Sequence, residues 1–242
     1  HAPIGFGKLM NDPRYNWMFE TDPHPATADR KIPIPRGKVL GGSSSINGML
    51  YVRGQARDYD VWAQMGNRGW SFQDVLPYFR RSENFFGAED DYRSKGGLLN
   101  VAPPAERHPL GEAFLLACAE AGHPTGHDYN GASQEGFTHS QSTTTGGKRH
   151  STAAAFLDPV RNRPNLTVET GCLVHRVVVE KGRAVGVEYE RNGQHVTTRA
   201  DQEVVITSGA IGSPKLMMLS GLGPAAHLRE TGVEVVQDLP GV

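Results

Sequence analysis

Apolar and polar positions follow several rhythms along the 242 residues. From Asn165 the period is two: residues 166–170, 173–180, 184–190 and 195–200 alternate apolar with polar side chains, are rich in valine, and break at Gly171, Gly182 and Asn192-Gly193. This spacing predicts an antiparallel meander. Residues 203–207 differ, because a continuous apolar run ahead of a glycine turn is the pattern of a buried parallel strand. Helical spacing occurs over 58–64, with Tyr59, Trp62 and Ala63 on one side. It recurs behind Ser71, where Asp74 completes a capping box and Val75, Leu76, Tyr78 and Phe79 follow despite Pro77. Residues 109–122 form the clearest helix: Pro109 lies near the start, Ala113, Phe114, Leu116, Ala117 and Ala121 make a stripe, and Gly122 is the stop. Shorter helices are predicted over 152–157, ended by Asp158-Pro159, and over 215–220, with Ser213 as N-cap and Pro214 first in the helix. Residues 84–108 read as loop with a short strand over 98–101, and a last strand is predicted over 233–236.

Residues 1–35 carry Pro3, Pro13, Pro23, Pro25, Pro33 and Pro35 among Tyr15, Trp17 and Phe19. Proline at this density rules out long helices and central strands, which leaves an extended arm or lid. Immediately after it, Gly37, Gly41, Gly42, Gly48 and Gly54 are interleaved with Ser43, Ser44 and Ser45. Backbone without Cβ atoms can lie flat against a ligand, and hydroxyls can bond it. A flexible linker would not run straight into the apolar residues 46–52, so the stretch reads as a built loop, a cofactor cradle.

Charge narrows the function classes. With 25 basic and 26 acidic side chains the chain is nearly neutral, and Lys148-Arg149-His150 is too short a basic run to support a nucleic-acid or acidic-membrane partner. No apolar run reaches the roughly 18 residues a membrane span needs. Cys118 and Cys172 cannot build a disulfide framework and have no ligand spacing for zinc; both are expected as buried thiols. The low cysteine count, with no signal peptide at the start, favours the cytoplasm. His123 and His127 are separated by Pro124 and Gly126 and cannot share a helical face as metal ligands, so they read as loop histidines. Gly221-Leu222-Gly223-Pro224-Ala225-Ala226 satisfies the dinucleotide fingerprint only formally: it follows a helix, not a strand, and reads as a helix C-cap and turn. Gly147-Lys148 lacks the other residues of a P-loop, and Gly41-Gly42-Ser43-Ser44-Ser45 lacks the last glycine of a hydrolase elbow.

Two stretches carry a resemblance. Residues 37–47, with Tyr51, Gly54 and Asp60 at their onward spacings, resemble the first signature of the glucose–methanol–choline (GMC) oxidoreductases, and residues 209–223 resemble the second. Residues 69–79 and Arg149-His150-Ser151-Thr152-Ala153 are similar to the family as well. The resemblance implies an α/β fold: a partial Rossmann-like FAD-binding domain containing the antiparallel meander, plus part of a substrate-binding cap. In residue terms, 1–60 and 160–242 would belong to the FAD-binding domain and 61–159 to the substrate-binding domain. It implies FAD as cofactor, with Gly41, Gly42 and Ser43 near the phosphates and Asn47, Gly48 and Leu50 near the ribityl chain and flavin ring. Val174 would hold the adenine through its backbone, and Gly209 and Ala210 would form a turn beside the dinucleotide. Some family members attach FAD through a histidine where this chain has Ile46; isoleucine cannot form that bond, which implies non-covalent binding.

The activity so implied is oxidation of a small-molecule alcohol by hydride transfer from the carbinol carbon to flavin, as in choline dehydrogenase-like members. The electron acceptor is open, an oxidase using oxygen is the nearest alternative, and a non-catalytic binding domain descended from such an enzyme is another. The family's glycine fingerprint would precede this sequence and its catalytic histidine would follow it. The resemblance therefore implies an interior piece of a longer protein with no catalytic residue of its own.

Overall fold

The structure is a computed structural model that describes residues 3–242. It separates into two compact units, one ending at Leu166 and the other running Thr167–Val242.

The first unit opens with the proline-rich arm, whose regular pieces are short: 3-10 turns over Pro3–Gly5 and Pro25–Thr27, a one-turn helix α1 (Phe6–Leu9), and a minimal antiparallel pair, β1 (Phe19–Glu20) with β2 (Pro33–Ile34). The arm then pairs with the start of the glycine-serine stretch, through an antiparallel bridge from Asn16 to Gly37. Helix α2 (Ala56–Gln64) begins two residues before the predicted start, because Gln55 acts as N-cap and exchanges a capping box with Asp58. Helix α3 (Phe72–Ser82) has the expected Ser71/Asp74 box; Pro77 sits within it. Between α3 and the next helix lies a parallel pair, β3 (Glu83–Phe85) with β4 (Leu99–Val101). The second of these is the predicted strand, and the first falls in residues expected to be loop.

Helix α4 (Pro109–Glu120) has Pro109 at its first turn and His108 as N-cap, its Nδ1 accepting from Leu110 N–H. Its predicted apolar stripe does not face a core: Phe114 is 57% and Leu116 66% exposed, and the buried residue is Cys118. A helix this apolar all round gives periodicity little to discriminate. A hairpin, β5 (Thr144–Thr145) with β6 (Lys148–Arg149), turns at Gly146 and Gly147, both at positive φ. A π-helical turn over Ala153–Leu157 and a 3-10 turn over Asp158–Val160 occupy the predicted 152–157 helix. Ile46, Met49, Phe85, Val101, Cys118 and Ala155 form the apolar core. Beside it lies a polar core of Arg53, Glu83, Arg93, Asn130 and Gln141.

The second unit contains the meander, β7 (Cys172–Glu180), β8 (Arg183–Arg191) and β9 (Gln194–Arg199), antiparallel in that order. Both connections are two-residue turns, Lys181-Gly182 and Asn192-Gly193, with positive φ at each position, the hairpin turn that matches strand twist. Three strand expectations fail. Residues 166–170 and 203–207 have no ladder, and Val205 is 72% exposed; an apolar run becomes a strand only where a neighbouring edge pairs it, and among the described residues none does. Residues 233–236 are irregular, and the last pairing is the parallel one between β10 (Leu222–Gly223) and β11 (Gln237–Asp238).

Helix α5 (Gly209–Leu219) starts six residues before the predicted Lys215, which places Ser213 and Pro214 inside it and not at its cap. Ser220 ends it, its Oγ donating to Leu216 O at 2.6 Å and accepting from Val177 N–H at 2.8 Å, so that α5 is fastened to β7. Gly221, at φ +79, is the C-terminal turn expected of it. Helix α6 (Ala225–Glu230) follows. Cys118 is buried as expected, but Cys172 is only half-buried.

Candidate functional site

The glycine-serine stretch is a built loop. Arg36 N–H donates to Asn16 Oδ1 at 2.8 Å and Lys38 N–H to Tyr15 O at 2.8 Å, which fixes the entry. Gly37 faces the carbonyl of Gly42 so closely that a Cβ would collide with it. Gly41 and Gly42 both take positive φ, +83 and +52, and a 3-10 turn runs Gly42–Ser45. Two of the three serines face inward: Ser44 Oγ donates to Gly41 O at 2.5 Å and Ser45 Oγ to Leu40 O at 2.8 Å. Those hydroxyls hold the loop's own backbone and do not face a ligand. Ser43 is exposed, and its Oγ accepts from Gly37 N–H at 3.1 Å, which leaves its O–H to donate elsewhere.

Ile46, 2% exposed, and Met49, 8% exposed, anchor the loop in the core. Between them Asn47 and Gly48 are exposed, and Leu50 beyond is 63% exposed. Nothing lies within 4 Å of where a Cβ would stand on Gly42 or Gly48. The loop therefore has one face sealed by protein and one face of bare backbone.

Arg149 does most of the sealing. Its Nη1 donates to Asn47 Oδ1 at 2.7 Å and to Ser44 O at 3.0 Å, and its Nη2 donates to Asn47 O at 2.7 Å. The side chain is buried, and desolvation pushes its pKa below the ordinary arginine value. Thr152 adds a second tie, its N–H donating to Ser44 Oγ at 2.9 Å.

Downstream, Tyr51 N–H donates to Gln141 O at 3.0 Å, while Tyr51 O accepts from Tyr129 Oη at 2.9 Å and Asn130 Nδ2 at 3.1 Å. Burial holds both tyrosines above the usual phenol range, so they act as neutral hydrogen-bonding groups. Under them, Arg93 donates to both oxygens of Glu83 and both of Asp128, Arg53 Nη2 sits 2.8 Å from Glu83 Oε1, and the Arg93 guanidinium lies 3.6 Å from the Phe85 ring centre. This charge cluster fixes the end of the loop from below.

The other expected residues lie in the second unit. Val174, 37% exposed, sits in β7 opposite Tyr189, just before an irregularity in register. Gly209 opens α5 at φ +85 with open space around it, Ala210 is exposed, and no side chain caps the first turn of this eleven-residue helix. Free N–H groups there suit an anion. His123 is exposed as expected, whereas the His127 ring packs against Gly136 and its Nε2 is buried.

Sequence reasoning missed Arg149 as the holder of the loop and missed the Arg53–Glu83–Arg93–Asp128 cluster. Arginine is ordinarily a surface residue, and burial by distant partners leaves no local mark. The available signal was the likeness of Arg149-His150-Ser151-Thr152-Ala153 to the family, which marks the stretch but not the partners of Arg149. As for the implied cofactor, bare glycine backbone, the Ser43 O–H, an outward amide on Asn47 and a buried cation form a donor set that fits an anionic dinucleotide.

A loop of this build in a mixed helix-and-strand chain defines a class: the chain belongs to the GMC oxidoreductases, whose family pattern matches residues 20–239. Within that class, it is 48% identical over 241 residues to an oxygen-dependent choline dehydrogenase of Sinorhizobium fredii, a match covering 100% of this chain and 43% of that protein. Among solved structures it is similar to pyridoxine 4-oxidase from Mesorbium loti, with a TM-score of 0.93 and 34% identity over 100% of this chain and 48% of that one. An FAD-dependent oxidoreductase from Chaetomium thermophilum matches with a TM-score of 0.88 and 31% identity, over 94% of this chain and 42% of that one. The chain thus spans less than half the length of the curated relatives it matches.

Proposed function

We propose that this chain is the part of an FAD-dependent alcohol oxidoreductase that cradles the cofactor. The observation that carries this reading is the Gly41–Gly48 loop: one face held by Arg149, the other bare, in a chain of GMC sequence. The cofactor, when bound, supplies the hydride acceptor for an alcohol carbon. The residues we assign to it are Gly41, Gly42, Ser43, Asn47, Gly48 and Leu50 in the first unit. Val174, Gly209 and Ala210 of the second carry the same assignment from the family resemblance. Backbone N–H groups and the Ser43 O–H would bind phosphate oxygens, and the Asn47 amide would orient the ring by donating to it.

Ile46 bears no nucleophile, and its side chain is packed into the core, so we assign non-covalent binding. The substrate is a small alcohol that reaches the cofactor past residues of the 61–159 region, which we assign to the substrate side. Oxygen as electron acceptor is favoured by the names of two relatives, an oxygen-dependent dehydrogenase and a 4-oxidase. The test is the visible spectrum of the full-length protein before and after anaerobic addition of choline and other small alcohols, followed by acid precipitation. We expect flavin absorbance, bleaching by at least one alcohol, and free FAD in the acid supernatant. A colourless protein would overturn the reading, and flavin retained in the pellet would overturn the assignment of non-covalent binding.

A further inference from the structure

Three buried arginines lie near the loop, and they differ in one respect. Arg53 pairs with Glu83, and Arg93 pairs with Glu83 and Asp128. Arg149, 7% exposed, has no carboxylate partner among the described residues; what it holds are the neutral oxygens of Ser44 and Asn47. A buried charge satisfied only by neutral dipoles leaves its field unbalanced, in surroundings that screen it less than water does.

The same bonds settle the polarity of Asn47. Its Oδ1 accepts from Arg149 Nη1 at 2.7 Å and from Met49 N–H at 3.0 Å. Only the amide oxygen can accept two N–H donors, so the –NH2 group is turned away from Arg149, and it has no acceptor among the described residues. Asn47 is exposed, beside the open face of Gly48.

We propose that Arg149 is a positioning residue of the cradle: its fork on Ser44 and Asn47 aims the Asn47 –NH2 at the open face and leaves the cradle a net cation. The site therefore favours the more negatively charged state of its ligand. This rests on the flavin reading and deepens it, because a two-electron cofactor gains negative charge on reduction unless protons follow.

The test compares the full-length protein with R149K, R149M and N47D, measuring the midpoint potential of bound FAD and, in the cofactor-free protein, amide hydrogen exchange at Ser44, Ile46 and Asn47. R149M removes charge and fork. N47D keeps the arginine but sets a carboxylate on it and deletes the amide donor. We expect both to weaken the preference for the reduced form about tenfold, which for a two-electron couple is a fall of about 30 mV. R149K, which keeps the charge but cannot make the fork, should recover only the part of that fall that the charge carries. Exchange at the three amides should speed up at least tenfold in R149M, since each belongs to the turn that the fork braces.

An unchanged potential in both R149M and N47D would overturn the proposal, as would a fall in R149M that R149K does not recover in any part, which would mark a purely structural arginine. Should R149M fail to fold, N47D decides alone. If the unaltered protein binds no FAD, the flavin reading falls by itself, and the exchange rates then judge the clamp: unchanged exchange in R149M or R149K would overturn it.

Discussion

Gly37 and Gly41 set how tightly the loop can close. An alanine Cβ at Gly37 would strike backbone at Gly42, which cannot rotate away, and at Gly41 it would sit 2.7 Å from Ser45 Oγ on backbone at φ +83. We expect G37A and G41A each to destabilise the chain by about 2 kcal/mol, from overpacking at both and left-handed strain at Gly41, as read by denaturant unfolding. G42A meets no neighbour but still carries left-handed strain at φ +52, so it should cost about 1 kcal/mol, less than G37A; a larger loss there than at Gly37 would contradict this. His150 makes a second prediction. Its Nδ1 accepts from Asn100 N–H at 3.0 Å, and burial lowers its pKa below the ordinary 6.5. The unfolded chain therefore takes up this proton before the folded one does. The associated stability is complete above the unfolded imidazole pKa and is lost as pH falls below it. We expect Tm to fall on acidification from about pH 7.5 to 5.5, and to fall less in H150Q, whose side-chain oxygen can still accept from Asn100. Parallel pH profiles would contradict this.

Elements were legible where the local chemistry is self-contained. The Ser71/Asp74 box, the Pro109 start and the Lys181-Gly182 and Asn192-Gly193 turns each need only residues a few positions apart. S71A should cost about 1 kcal/mol, and retention of full stability would show that the box contributes nothing. Elements that depend on a distant partner were not legible. The 203–207 run reads as a strand but finds no edge, and β3 reads as loop but pairs with β4. Within the candidate site, the exposure of Leu50 runs against the apolar reading of 46–52, and Asn47 and Gly48 were singled out by the family resemblance; the glycine turn does follow from residues 37–48. The fork from Arg149 and the Arg93 cluster do not, because their partners lie 102 and 105 residues away in one case and 10, 35 and 48 in the other. Removing one member of that cluster strands the others: we expect R93M to lose about 3–5 kcal/mol in urea unfolding. R176M, which breaks an exposed pair with Glu188, should change little.

At the scale of the whole molecule, the apolar side chains left outside are informative. Met65 is 75%, Leu110 72%, Leu116 66% and Val205 72% exposed, so these apolar side chains lie outside the cores of the two units. No helix of the described residues is long and apolar enough to cross a membrane. The curated relatives are more than twice as long as the matched stretch, and the family resemblance expects the glycine fingerprint outside it. We therefore expect the 242 residues alone to bind FAD weakly in a fluorescence titration; tight binding would show that this chain holds the cofactor unaided.

The central claim is that the cofactor lies on the bare face of the Gly41–Gly48 loop. A crystal structure of the full-length protein loaded with FAD tests it most directly. The account predicts FAD within contact distance of Gly42 and Gly48, with the Asn47 –NH2 turned toward it and Arg149 still bonded behind. FAD bound elsewhere, with that face covered by protein, would contradict it.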